Sequence, residues 1–346
     1  MLGLAAIPLG VRCRFLDPSP TAGASAVGVL TVGALDDVAA VSATIAGADA
    51  LTFEWEGVPA TSLLPAIDAG IPVAPGVQAL RTSQDRGVEK QQFKALGIDT
   101  APYWLIETRS EFDAALRELA GPGILKTCRG GYDGKGQARI ANAAQANAAW
   151  QQLDGVPLIL EGLVAFDREL SVLACRGRDG TTVVWPVTEN EHRDGILHTS
   201  IVTPATVSDA MQARAHHIAA RLMDALEYVG VIAIELFQVG DTLIANEFAP
   251  RVHNSGHWTI EGSATSQFEN HVRAVLGMPL GSTELRNSVV MFNAIGSLPD
   301  RDAVLAVPGA HFHSYDKVPL SGRKVGHITV VDPSTETLQT LRDLLQ

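Results

Sequence analysis

The sequence predicts an α/β unit followed by α+β structure, in three parts, and three patterns carry that prediction. From residue 1 to 77, strand-like runs alternate with helical ones. Strands separated by helices imply a parallel sheet with crossovers. From 78 to 284, long apolar runs such as "PLILEGLVAFDRELSVLACR" and "VGVIAIELFQVGDTLIANEFAP" read as antiparallel strands between amphipathic helices. From 285 to 346, short strands surround "HSYDKVPLSGRKVGHITV", and a final helix, "TLQTLRDLL", closes a small β-rich part. With 346 residues the chain is long enough for several cores.

The elements follow in order. "MLGLAAIPLG" reads as a helix from Leu2 to Leu9, turning at Gly10 into the strand "VRCRFLD". A helix, a strand at Ala50–Phe53, the helix "ATSLLPAIDAG" and the short strand "IPVAPG" complete the first part. Such α/β units usually open on a strand and a glycine turn rather than on a helix, so either the fold begins oddly or the sequence begins late. "TSQDRGVEKQQFKALGI" reads as one helix stopped by Gly97. "TAPYWLIET" is extended, and "SEFDAALREL" is a helix capped by Ser110. "GILKTC" is a strand, and "SDAMQARAHHIAARLMDALEY" is a long amphipathic helix with His216 and His217 on its surface. The strands around Gly240-Asp241 and the helix "SQFENHVRAVLG" end the central part.

The net charge of -12 argues against a general nucleic-acid binder, which needs a basic surface. A small anionic substrate then requires a local basic pocket. Cys13, Cys128 and Cys175 are widely spaced, with no CxxC pair, and read as three reduced thiols. The apolar start lacks a basic leader and an A-x-A site and is too short to span a bilayer. A cytoplasmic protein without a membrane segment is expected.

Two features carry chemistry. "ILKTCRGGYDGKGQARI" places a glycine-rich run with Lys126 and Lys135 directly after a strand. Mobile glycines permit close approach, and lysines beside them suit a phosphate. Glu235 and Glu247 sit in apolar strands on either side of one turn. A carboxylate there is costly unless it is paired or binds a metal. Two converging carboxylates suit magnesium, which takes carboxylate and then phosphate oxygens. Each glutamate could instead pair with an arginine.

The order of these features, with Glu161 after "PLILEG", resembles the ATP-grasp enzymes, which join a carboxylate to a nucleophile through an acyl phosphate. "GGYDGKGQ", "NEFAPRVHNSGHWT" and "YDKVPLSGRKVGH" together resemble the N5-carboxyaminoimidazole ribonucleotide synthetases over nearly the whole chain. The resemblance implies a three-part ATP-grasp architecture: a Rossmann-like first domain (1–77), an ATP-grasp domain (78–284) and a small β-rich domain (285–346). The family's opening strand and GxGQLG turn do not precede the first helix. The implied reaction carboxylates 5-aminoimidazole ribonucleotide with ATP and bicarbonate, through carboxyphosphate, in purine biosynthesis. ATP and Mg2+ are the implied cofactors and a homodimer the implied assembly.

For the residues, the resemblance implies that Arg86 and Lys126 meet ATP phosphates and that Gly131, Tyr132, Asp133, Gly134, Lys135, Gly136 and Gln137 form a lid. Glu161, Gly162, Leu163 and Val164 would meet the adenine, Glu169 the ribose, and His192 the nucleotide. Glu235 and Glu247 would hold magnesium, with Asn246 beside them at the nucleotide. Arg251, His253 and Lys324 would form the catalytic set. Arg251 offers a planar fork for bicarbonate, and His253 deprotonates the amine or orients the anion. Lys317, Arg323 and Lys324 would bind the ribonucleotide's phosphate, and Tyr132, Asp133 and Glu54 would reach the same substrate.

Plainer readings stand beside these. His192 could be a solvated loop residue, "GRK" an exposed turn, Tyr132 a packing residue and Trp258 part of the core. Another ATP-grasp ligase, such as a formate-dependent transformylase, or a nucleotide-binding remnant without turnover, would share the same nucleotide residues.

Overall fold

The computed structural model describes residues 1–131 and 136–345. Its first part holds a two-stranded sheet, β1 (Arg14–Asp17) paired in parallel with β2 (Val29–Val32). The helix Val38–Ile45 packs on it through Val41 and Ile45. β2 was not foreseen. The strands expected at Ala50–Phe53 and in "IPVAPG" shrink to one parallel bridge, Leu51 to Val73. Pro72 lacks the amide that would carry the ladder back towards residue 49.

The helix expected over residues 82–98 is two, Val77–Ser83 and Arg86–Ala95. Asp85 divides them: its carboxylate accepts the Gly87 and Val88 amides at 3.0 and 3.2 Å, an N-cap. Gly97, at φ 59°, closes the second helix as expected. Thr108, not Ser110, caps the helix Arg109–Leu119. The Thr108 hydroxyl takes the Glu111 amide, and the Glu111 carboxylate returns to the Thr108 amide at 2.9 Å.

A second, antiparallel sheet has the order β3-β6-β4-β5, from β3 (Tyr103–Ile106), β4 (Gly123–Thr127), β5 (Gln137–Ile140) and β6 (Leu158–Gly162). Ile106, Phe112, Leu125, Leu158 and Leu160 form its core beneath the helices Arg109–Leu119 and Ala143–Leu153.

The third sheet has nine strands. They are β7 (Arg168–Arg176), β8 (Thr182–Val184), β9 (Thr188–Arg193), β10 (Ile196–Val202), β11 (Gly230–Val239), β12 (Thr242–Ala249), β13 (Val289–Ile295), β14 (Ala310–Ser314) and β15 (Lys324–Val331). The order is β12-β11-β7-β9-β10-β13-β15-β14, with β8 on β7. The last three strands therefore extend the central sheet through the β10–β13 pairing. Helix Asp209–Ala225 covers one face, with Phe93, Val172 and Ile232 in the core beneath it. His217 is exposed, while His216 is half-buried against Gln212. Trp258 is fully buried, its indole N–H on Thr188 Oγ1 at 3.0 Å. No described helix is long and apolar enough to cross a membrane.

Candidate functional site

Strands β11 and β12 pair so that Glu235 stands directly opposite Glu247. The register then slips: Leu236 faces Ala245, and Asn246 is the extra, bulged residue. Its side chain hydrogen-bonds Glu235. Burial first, and the Glu247 charge second, push the Glu235 carboxyl up to about 7. These two acids are brought together as the sequence suggested.

A loop after β12 brings His253 Nε2 to 3.5 Å from Glu235 Oε1. Its Nδ1 lies 2.8 Å from Ser255 Oγ and accepts the Ser255 amide at 3.3 Å. Because Nδ1 is an acceptor, the proton of the neutral ring sits on Nε2, facing Glu235. A buried chain fixes this: Ser200 donates to Asn190, Asn190 to Ser171, and Ser171 to Ser255. Burial, then Arg251, Lys324 and His192, hold His253 well below the usual imidazole range. His253 therefore presents a neutral ring with its Nε2–H towards Glu235.

His192 on β9 pairs with Glu169 on β7. Burial alone lowers this imidazole, but the Glu169 hydrogen bond and the Glu235 charge raise it overall. It is therefore neither a solvated loop residue nor isolated from the acid pair.

Arg251 is engaged by Glu56, a residue that the sequence reading passed over. Nε and Nη2 both donate to the Glu56 carboxylate, the second at 2.9 Å, and Nη1 donates to the Val252 carbonyl at 2.8 Å. Of the guanidinium's N–H groups, one on each Nη remains for a small anion. Burial opposes the Glu56 charge, but Arg251 and then Lys324 hold its carboxyl below the usual range. Glu54, by contrast, accepts the Leu2 amide at 2.9 Å at the start of the first helix.

Beside the glycine run, Lys126 Nζ lies 3.0 Å from Glu161 Oε1, and Lys90 Nζ lies 3.3 Å from Oε2. Burial opposes the Glu161 charge, yet Lys90 and Lys126 keep the carboxyl below the usual range. Arg86 holds the base of the glycine run, donating to the Thr127 and Gly131 carbonyls at 3.0 Å each. Gly136, at φ 67°, gives its carbonyl to the Thr127 amide, and Gln137 begins β5. Tyr132, Asp133, Gly134 and Lys135 lie outside the described residues. Gly162 and Leu163 give their amides to the Pro102 and Pro122 carbonyls, which turns the chain after β6. Val164 follows half-buried, and Phe166 stacks on Phe237 at 4.7 Å.

Lys90 and Glu89 were also missed. Lys90 Nζ donates to the Asn246 carbonyl at 2.7 Å, and Glu89 Oε1 accepts the Phe248 amide at 2.7 Å. One helix thus pins both sides of Glu247. Burial, then Glu247, raises the Glu89 carboxyl well above the usual range. Arg86, Lys90 and the buried Phe93 recur at helical spacing, and that periodicity was the available signal.

Lys324 opens β15 half-buried, and its charge acts on Glu56, His253 and His192 together. Arg323 is exposed and donates to the Val318 carbonyl at 3.3 Å within its own turn. Lys317 is exposed, its Nζ 5.3 Å from the Tyr315 ring centroid.

Family models match three stretches: the ribonucleotide synthetase preATP-grasp domain at 1–84, the ATP-grasp domain at 91–268, and the phosphoribosylaminoimidazole carboxylase C-terminal domain at 289–340. An N5-carboxyaminoimidazole ribonucleotide synthase of Pseudomonas aeruginosa is 44% identical over 339 residues, 98% of this chain and 93% of the relative. The chain belongs to the N5-carboxyaminoimidazole ribonucleotide synthase family. The synthetase of Thermus thermophilus is similar in structure, with a TM-score of 0.95 and 46% identity, covering 99% of this chain and 95% of that one. The Aspergillus clavatus synthase, solved with ADP and 5-aminoimidazole ribonucleotide, superposes with a TM-score of 0.91 at 30% identity, covering 100% of this chain and 95% of that one.

The acid pair fits a divalent cation. Among the described residues, no group of three or more His, Cys, Asp or Glu side chains forms a metal site by itself. Burial and then the facing Glu247 charge raise the Glu235 carboxyl, and a hard cation held by the two acids would relieve both.

Proposed function

We propose that the protein carboxylates 5-aminoimidazole ribonucleotide to N5-carboxyaminoimidazole ribonucleotide, as an ATP-grasp carbon–nitrogen ligase of purine biosynthesis. One observation carries this reading: the Glu235–Glu247 pair lies within charge reach of a cationic and donor wall of Arg251, His253 and Lys324. Such a cleft can hold a metal-bound triphosphate against a second, small anion. Family membership supports the same reading.

In this reading bicarbonate is the small anion. A bicarbonate oxygen bonds to the γ-phosphorus, ADP leaves, and carboxyphosphate forms. The substrate amine then bonds to the carboxyl carbon as the bond from that carbon to the phosphate oxygen breaks, and the departing inorganic phosphate takes the amine's proton. Arg86 and Lys126 hold phosphates, Glu169 the ribose and His192 the nucleotide beside it. The turn at Gly162, Leu163 and Val164 takes the adenine. Glu235 and Glu247 hold Mg2+, which when bound supplies charge neutralisation at the phosphoryl oxygens. The open N–H groups of Arg251 and the His253 Nε2–H grip the bicarbonate, which pre-orients it in a site with little water. Lys324, with Lys317 and Arg323 at the rim, takes the ribonucleotide phosphate. The chain divides at 77/78 and 284/285, works as a homodimer and resides in the cytoplasm, where its three free cysteines stay reduced.

Phosphate release by the purified protein is expected to require both bicarbonate and the ribonucleotide. Release supported by formate in place of bicarbonate, or not stimulated by the ribonucleotide, overturns the reading.

A further inference from the structure

Behind the anion site lies a polar cluster that the chemistry above does not use. Tyr315 stands where β14 gives way to the basic turn 316–323. Its hydroxyl is 2.9 Å from His257 Nδ1 and 2.8 Å from His327 Nδ1. His257 follows Arg251 and His253 in the loop after β12, and His327 lies three residues beyond Lys324 on β15. One phenol oxygen therefore joins the small-anion loop to the basic segment. His327 stacks on His313 at 4.2 Å, and His313 Nε2 lies 2.7 Å from Glu261 Oε1, which ties the cluster to the helix Thr259–Gly262.

The proton order can be assigned from its far end. Asn293 donates to the Leu197 carbonyl, which can only accept, at 2.8 Å. That orients the Asn293 amide, so its oxygen takes a proton of Asn254 Nδ2 at 2.9 Å. The second proton of Asn254 Nδ2 faces His257 Nδ1 at 3.4 Å, making that nitrogen an acceptor. Tyr315 then donates to His257, and His327 Nδ1–H donates to Tyr315. His327 Nε2 is left as the bare acceptor, buried and without a partner among the described side chains. Burial depresses both imidazoles well below their usual range and raises the phenol, which keeps all three rings neutral in this order.

We propose that Tyr315 is a positioning residue, whose hydroxyl between His257 and His327 locks the basic segment 315–324 against the anion loop and so aims Lys324 at the ribonucleotide phosphate. The inference rests on the assignment of Lys324 made above. Removing only the hydroxyl strips His327 Nδ1–H of its acceptor and leaves His257 Nδ1 only the long contact to Asn254 Nδ2, which loosens the tie between the two segments.

The test is Tyr315→Phe in the full chain. Its KM for the ribonucleotide is expected to rise roughly tenfold while its KM for ATP stays within about twofold. His327→Asn, which keeps a donor at the Nδ1 position, should stay close to wild type, whereas His327→Leu should repeat the Tyr315→Phe rise. Combined with Lys324→Met, Tyr315→Phe should add little, because both act through one contact. An unchanged ribonucleotide KM, an equal rise for ATP, or full additivity overturns the proposal. Calorimetry separates the two levels. A wild type that does not bind the ribonucleotide overturns both readings. A wild type and a Tyr315→Phe variant that bind it equally overturn only this one.

Discussion

Glu161 and Glu235 are both carboxylates on strands otherwise built from apolar residues, yet their surroundings are opposite. Glu161 lies between Lys90 and Lys126, and its carboxyl titrates low. Glu235 faces Glu247, and its carboxyl titrates near neutrality. In the first cluster the acid's charge is already paired by two lysines. The second keeps a repulsion that Asn246 and His192 offset only in part, and a bound cation would relieve it further. A buried acid alone is therefore no guide to function; whether its charge is already compensated is the informative quantity.

The sharpest way to break the contrast is to neutralise each acid. Glu235→Gln is expected to cost at least about a thousandfold in kcat, while the metal-free protein unfolds at the same urea concentration as wild type or higher. A clear loss of stability in that variant would show that the pair is not strained. Lys90→Met attacks the compensated cluster. It strips Glu161 of one partner and orphans the Asn246 carbonyl, so urea unfolding should register a loss of about 3 kcal/mol. Glu56→Gln probes the Arg251 fork: the KM for bicarbonate should rise about tenfold, with the KM for ATP unchanged. The smallest effect is in the pH dependence of stability. An unfolded glutamate titrates near about 4.3, and Glu161 in the folded chain titrates below its usual value. Its contribution is complete above the unfolded value and is lost as pH falls through the folded one. The acid limb of the stability curve should therefore be flatter in Glu161→Gln than in wild type.

What the sequence disclosed follows from the range of each interaction. The hairpin around Gly240-Asp241, its two glutamates and the strand before the glycine run are local patterns, and the structure contains all of them. Glu56 gave no local sign because its partner lies far along the chain: it meets Arg251 across 195 residues. Lys90 showed its helical spacing, but not its partner Asn246, 156 residues away. The split at Asp85 was readable from its capping carboxylate, but the surrounding helix formers masked it. The strand expected at residues 50–53 shrinks to one bridge, and Pro72 in its partner run, which lacks an amide facing it, is a condition set outside the segment itself.

The pairing of β10 with β13 has a geometric consequence. Glu235 on β11 and Lys324 on β15 belong to one sheet, four strand-to-strand steps running β11-β7-β9-β10-β13 before the last to β15. The strands that carry the basic residues are therefore joined to those that carry the acids by ladders of backbone hydrogen bonds, with register shifts at Leu197/Thr199 and Ala294/Ile295 along the way. Parting the two groups of strands would require breaking a ladder through the middle of the protein.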